Sequence, residues 1–336
     1  PVFTVPAGTP WADAGDGAMK VVGSEGDDII YLGLGNKTVL GNGGADILIV
    51  RGGEEAGSGA EDVIRLDGGT GADVMIGGWG RETFVVDDTG DLTDDAGGHN
   101  LVLASVDYGL ADGIEDLTLT GAAKLGFGNG GANVLRGTTL ANGLVGDGGD
   151  DLLAGGAGND TLTGDGGSVT EGGGKDTLQG GLGDDVLDGG EGNDLLDGGE
   201  GIDRAVFAGA AALVDLDLAG PQETGHGLDR LVSIEQLEGG EGNDTLRGSA
   251  GDNVLRGNGG NDNLSGRAGN DSLAGGAGND ILNGGAGSDT MSGGDGNDSY
   301  YVDSTGDVVR ETTVASATGG IDRVNSVLAA YTLTSN

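Results

Sequence analysis

Between Gly239 and Tyr301 small, polar and apolar positions recur with a period of nine, seven times in succession: GGEGNDTLR, GSAGDNVLR, GNGGNDNLS, GRAGNDSLA, GGAGNDILN, GGAGSDTMS and GGDGNDSYY. Glycine holds the first and fourth places, Asp or Asn the sixth, and an apolar side chain the eighth. Two or three glycines in six residues specify a tight turn, because glycine reaches positive φ without steric cost. The last three residues, such as Ile281, Leu282 and Asn283, are too short for a helix and read as a strand. Alternation on that strand sends Leu282 to the face opposite its two neighbours. Leu246, Leu255, Leu264, Leu273, Met291 and Tyr300 occupy the same place, so the pattern predicts a thin apolar ladder. A turn and a strand reverse the chain once. Two units, 18 residues, therefore complete one coil, and stacked coils pair as parallel strands about 4.8 Å apart.

That geometry determines the chemistry of the sixth place. Residues 18 apart lie one above the other, so Asp244, Asp262, Asp280 and Asp298 form one edge column, and Asn253, Asp271 and Asp289 form the opposite one. Carboxylates stacked at roughly 5 Å with nothing between them repel one another. A cation must intervene. The ligands on offer are hard oxygens from carboxylates and turn carbonyls, which suit calcium. Cysteine is absent and the only histidines are His99 and His226, which argues against a soft or imidazole site.

These units resemble the RTX, or haemolysin-type calcium-binding, repeats of proteins exported by bacterial type I secretion. The resemblance implies an all-β fold, a right-handed parallel β-roll or β-helix solenoid with two repeats per coil. It also implies that the first six residues of each unit form the calcium turn and the last three the strand. Each ion would lie between turns 18 residues apart, held by the sixth-place Asp and main-chain carbonyls.

The chain divides into blocks of such units. Residues 1–22 lead in, 23–85 form a first block, 86–127 an irregular β segment, 128–207 a second block, 208–238 another irregular segment, 239–301 the third block, and 302–336 begin a further β segment. In the first block Asp28 and Asp46 are 18 apart and can share an ion, and Asp73 is a further candidate, but residues 50 to 67 break the register. Lys37 takes a sixth place where it cannot ligate a cation. The second block offers Asp151 and Asp160, then an irregularity at Gly164 to Thr170, then Asp176 with Asp194 and Asp185 with Asp203. Asn offers only a neutral oxygen, so Asn133, Asn142 and Asn253 mark weaker or empty sites.

The irregular segments repeat over a longer range. FVVDDTGDL at Phe84 to Leu92 is echoed by YYVDSTGDV at Tyr300 to Val308, and Ser105, Val106, Tyr108 and Leu110 by Ser326, Val327, Tyr331 and Leu333. Ile114, Leu117 and Leu119 alternate like a strand; Leu213, Leu216 and Leu218, then Leu231, Ile234 and Leu237, form apolar stripes. These segments are read as longer strands that continue or cap the solenoid without calcium turns. The opening PVFTVPAGTP lacks the charged start and apolar core of a signal peptide, and the second echo stops at Asn336, so the chain is expected to be a piece of a larger protein.

Composition narrows the function. With 56 acidic against 15 basic residues, a formal charge of −41, 79 glycines and 3% aromatics, the chain has the composition of a disordered one until a ligand intervenes. Calcium that binds only stacked turns converts its binding energy into folding energy. The same charge excludes nucleic acid as a partner, and no stretch approaches the run of about 18 apolar residues that membrane insertion of a helix requires. GFGNGG at Gly126 to Gly131 matches a dinucleotide fingerprint in letters but runs into another nonapeptide rather than a helix. His99 and His226 read as solvated loop residues, Trp11 and Trp79 as exposed, and no HExxH is present. The expectation is a non-enzymatic, secreted or cell-surface calcium-binding solenoid that folds after export and acts as a scaffold in a surface layer, adhesin or filament. Its open ends would allow self-association end to end or side by side. The alternative is the repeat module of a secreted protease, lipase or alginate epimerase.

Overall fold

The computed structural model describes residues 2–6, 11–17, 19–51, 63–166, 173–209, 211–310 and 320–328. Tyr331, Leu333 and parts of the two irregularities at 50–67 and 164–170 lie outside them. Among the described residues every element is a strand, and no helix is long and apolar enough to cross a membrane. Contacts divide the chain into two compact units, Pro1–Asp160 with Gly166–Val169, and Thr161–Asp165 with Thr170–Asn336. Each is a parallel β-solenoid.

The nine-residue pattern shows most plainly in the second unit. One sheet stacks Thr245–Arg247, Asn263–Ala268, Ile281–Ala286 and Ser299–Val302, placing Leu246, Leu264, Leu282 and Tyr300 in one row. The other stacks Gln236–Glu238, Val254–Gly259, Ser272–Ala277 and Thr290–Asp295, placing Leu237, Leu255, Leu273 and Met291 in a second row. All eight side chains are buried. Alternation forces this: one inward residue per short strand lets two facing rows fill the coil, and burying each contributes about 1.5–3 kcal/mol.

The first unit follows the same plan with an uneven step. Val21, Val39, Leu66, Phe84, Val102, Leu117, Leu135 and Leu153 continue one inward row through consecutive parallel pairings. Most steps are 18 residues, but Val39 pairs with Leu66 across 27 and Val102 with Leu117 across 15. The coil therefore absorbs insertions in its turns and keeps its strands in register. Irregular segment 86–127 continues the solenoid with Leu117 and Leu119 inward, but through short strands such as Leu101–Ala104 and Asp116–Leu119 and not the longer ones expected.

Segment 208–238 differs in detail from the predicted stripes. Leu231, Ile234 and Leu237 are buried, but Leu213 and Leu218 are exposed and Val214 between them faces in, paired with Leu246. The stripe was misphased by one residue, which on a strand reverses the face. Gln222–Glu223 pairs antiparallel with Leu228–Val232, the one departure from parallel order among the pairings described.

Candidate metal centre

All fifteen predicted ligands, Asp28, Asp46, Asp73, Asp151, Asp160, Asp176, Asp185, Asp194, Asp203, Asp244, Asp262, Asp271, Asp280, Asp289 and Asp298, are buried at the turn edges, none more than 3% exposed. Their side chains repeat one contact. Within a run of repeats the N–H of one sixth-place residue donates to Oδ1 of the sixth-place residue one coil later: Asp262 to Asp280, Asp280 to Asp298 and Asp176 to Asp194 at 2.8 Å, Asp271 to Asp289 at 2.9 Å. In the first unit the column runs Asp28, Asp46, Asp73, with bonds of 2.8 and 2.7 Å, so the 27-residue step to Asp73 preserves it.

One oxygen per carboxylate is thereby used, and the other is left over. Oδ2 of Asp46, Asp73, Asp194, Asp203, Asp262, Asp271, Asp280, Asp289 and Asp298 is buried without a hydrogen-bond donor. Burial pushes these carboxyls up: Asp194 to about 8, Asp280 to about 7, and Asp46, Asp73, Asp262 and Asp271 to about 6, against the partial relief of the donated N–H. Neighbouring carboxylates add to the rise, as Asp262 and Asp298 do at Asp280.

The first-place glycine shows where the spare oxygen points. A Cβ added to Gly275 would lie 2.1 Å from Asp280 Oδ2 and 2.8 Å from the carbonyl oxygen of Gly293, one coil on; at Gly257 the same distances are 2.0 and 2.7 Å to Asp262 and Gly275. This glycine is required for space. The fourth-place glycine is required for conformation, as at Gly278 with φ +134°. The turns at Gly257 and Gly275 thus bring a buried carboxylate oxygen that has no hydrogen-bond donor close to a main-chain carbonyl of the next coil. Among the described residues no three His, Cys, Asp or Glu side chains converge, so any ion held here takes carbonyl oxygens besides its carboxylate. That donor set is all hard oxygen and fits calcium.

Not every sixth-place residue is of this kind. Asp28 and Asp244, each the first in its block, use Oδ2 to accept the N–H of Ser24 and of Gly240. The asparagines turn the other way round. Asn133, Asn142 and Asn253 use Oδ1 to accept an N–H four residues back in their own turn, from Asn129, Thr138 and Ser249. Their Nδ2 donates to carbonyls of the preceding coil, including Ile114 at 3.1 Å, Ala123 at 3.1 Å and Glu235 at 3.0 Å. Lys37 is 4% exposed, and its Nζ donates to the carbonyls of Gly17 and Leu34 at 2.7 Å each.

Several column members escaped the sequence reading. Asp91 and Asp307, inside the two echoed segments, accept the N–H of Asp73 at 2.9 Å and of Asp289 at 3.2 Å. Their TGD aspartates thus extend the hydrogen-bonded columns into these segments. Each also accepts two N–H groups of its own turn through Oδ2, from Asp87 and Asp88 or from Asp303 and Ser304, and so closes its column. The spacings 73 to 91 and 289 to 307 carried that signal. Asp229, Glu235 and Asp322 likewise accept the N–H of Asp194, Asp203 and Asp298, across 35, 32 and 24 residues. No fixed period could have found them.

A second ladder runs outside the first. Fifth-place Asn243, Asn261, Asn279 and Asn297 link coil to coil through N–H to Oδ1 bonds of 2.7–2.8 Å. Of the two histidines, His99 is exposed beside Asp116. His226 departs from the solvated-loop expectation: its side chain is 8% exposed, with Nδ1 3.2 Å from Glu191 and its ring tilted against Phe207. Trp11 and Trp79 are exposed as expected.

The sequence matches the family described as RTX calcium-binding nonapeptide repeat (4 copies) over residues 13–53, 65–91, 137–170, 172–205, 238–273 and 265–300, more than half of the chain. No curated protein matches it.

Proposed function

Because this chain belongs to the RTX calcium-binding nonapeptide repeat family, we propose that its coils close when calcium enters the edge columns, and that the loaded solenoid works outside the cell as a scaffold in a surface-layer, adhesin or filament protein. The observation that carries the calcium part is the row of buried, donorless Oδ2 atoms, beside turn carbonyls at Gly257, Gly266 and Gly275. Burying an ionised carboxylate without a counter-charge is costly, so the stacked coil and the unliganded carboxylate disfavour one another. An ion that binds only between stacked turns resolves this, and its binding energy becomes folding energy. With a formal charge of −41, the ion-free chain also repels itself.

The extracellular part follows from calcium supply. Weak oxygen sites are empty at cytosolic calcium and filled outside, so the chain would stay extended for export and coil afterwards. The scaffold reading is non-enzymatic: the buried acids are accounted for by the columns, and the histidines lack a nucleophile partner among their contacts. A far-ultraviolet circular dichroism titration tests the folding step. A disordered spectrum in calcium-stripped protein that turns to β on adding calcium is the expected result; a folded spectrum after thorough stripping refutes it. Fractionation of producing cells tests the location, and a chain confined to the cytosol contradicts it.

A further inference from the structure

Lys37 stands in a sixth place, where turns such as those of Asp262 and Asp280 carry an aspartate with a donorless Oδ2. Its ammonium is buried and takes one carbonyl from its own turn, Leu34, and one from the preceding coil, Gly17, both at 2.7 Å. It joins two successive turns through their carbonyl oxygens, as a bound cation would. The positions in register with it on either side are Met19 and Ile64. On the opposite edge of the same unit Asp28, Asp46 and Asp73 form the acidic column.

We infer that Lys37 is a resident cation: its ammonium holds this turn in the place of calcium, so the coils around it stay closed when calcium is withdrawn. The inference rests on the calcium-folding reading above. An ion's contribution rises and falls with its free concentration, whereas a tethered ammonium is always present and donates to carbonyls of two successive turns. The first unit would then depend on calcium along one edge only at these coils, and the closed turn gives returning calcium a folded template to extend.

Amide hydrogen exchange on the full chain, in saturating calcium and after stripping, tests this with Lys37→Met and Lys37→Arg. The reporters are the Gly17 and Met19 amides, bonded to Leu34 and Asn36 across this turn, and the Asp262 and Asp280 amides of the acidic column. In stripped wild-type protein Gly17 and Met19 should exchange about tenfold or more slowly than Asp262 and Asp280. Lys37→Met should abolish that difference, and Lys37→Arg should retain it. If Lys37→Met fails to fold even in calcium, recovery by Lys37→Arg supports the resident cation and equal failure overturns it. Equal exchange of Gly17 and Met19 in stripped wild type and Lys37→Met also overturns it. Persisting protection of Asp262 and Asp280 without calcium refutes the calcium-folding reading instead, and the comparison of Lys37→Met with wild type still decides the role of Lys37.

Discussion

The N–H of Asp262 donates to Oδ1 of Asp280 across one coil at 2.8 Å, and this single bond determines that Oδ2 is the oxygen left for an ion. Asp280→Asn keeps the shape of the side chain and removes the charge. In calcium the variant should lose one bound ion and about 1–3 kcal/mol of stability. In stripped protein the sign should change, because a neutral amide costs less to bury than a lone carboxylate. Thermal unfolding in calcium and the residual β signal of the stripped protein read the two effects. Equal destabilisation in the two conditions would mean that Asp280 is structural and holds no ion.

The pH dependence of the stripped protein follows from the same burial. Folding raises the carboxyls of Asp194 to about 8, Asp280 to about 7, and Asp46, Asp73, Asp262 and Asp271 to about 6, from an ordinary value of 3.8. The folded state therefore binds more protons than the unfolded one between these values, and stability falls as pH rises through them. Below pH 3.8 the contribution is complete; above about 8 it is gone. Calcium-stripped protein, disordered at pH 8, should accordingly gain β signal in far-ultraviolet circular dichroism at pH 4.5, and calcium should bind more weakly at the lower pH because it displaces protons. A stripped protein more stable at pH 8 would contradict the burial.

Gly275 tests the cradle by volume alone. Its backbone lies outside the positive-φ region, so alanine brings no strain there, but the new Cβ would stand 2.1 Å from Asp280 Oδ2 and 2.8 Å from the Gly293 carbonyl. Gly275→Ala should lose the local ion and about 1–3 kcal/mol in calcium. Isothermal titration against wild type gives the count. An unchanged count would place the ion elsewhere in the turn.

How far the sequence could be read depended on whether spacing carried the information. Leu282 and Asp280 were legible because 18-residue stacking puts each directly above its equivalent. Asp229 and Asp322 were not, because the steps to them are 35 and 24 residues instead of 18, and strand pairing keeps the column while the count is lost. Val214 was missed because Leu213 beside it is equally apolar and the strand, Leu213–Asp215, is too short to fix the phase. The burial of Lys37 and His226 depends on which carbonyls and carboxylates the turns bring beside them, a three-dimensional fact that no local pattern encodes.

Asn253 offers the sharpest test, since restoring the commoner letter should do harm. Its Nδ2 donates to the Glu235 carbonyl of the preceding coil, and its Oδ1 accepts from the Ser249 N–H and hydroxyl. The preceding coil presents an acceptor here, whereas at Asp280 it presents the Asp262 N–H. Asn253→Asp would set a carboxylate oxygen against that carbonyl, with no donor between them. The variant should lose about 1–3 kcal/mol and gain no ion on this face of the turn. If aspartate here instead gained both an ion and stability, asparagine would be only a weakened ligand. Loss of stability without an added ion identifies Asn253 as the joint between an irregular segment and the column that follows, a place where an amide donor completes what calcium completes elsewhere.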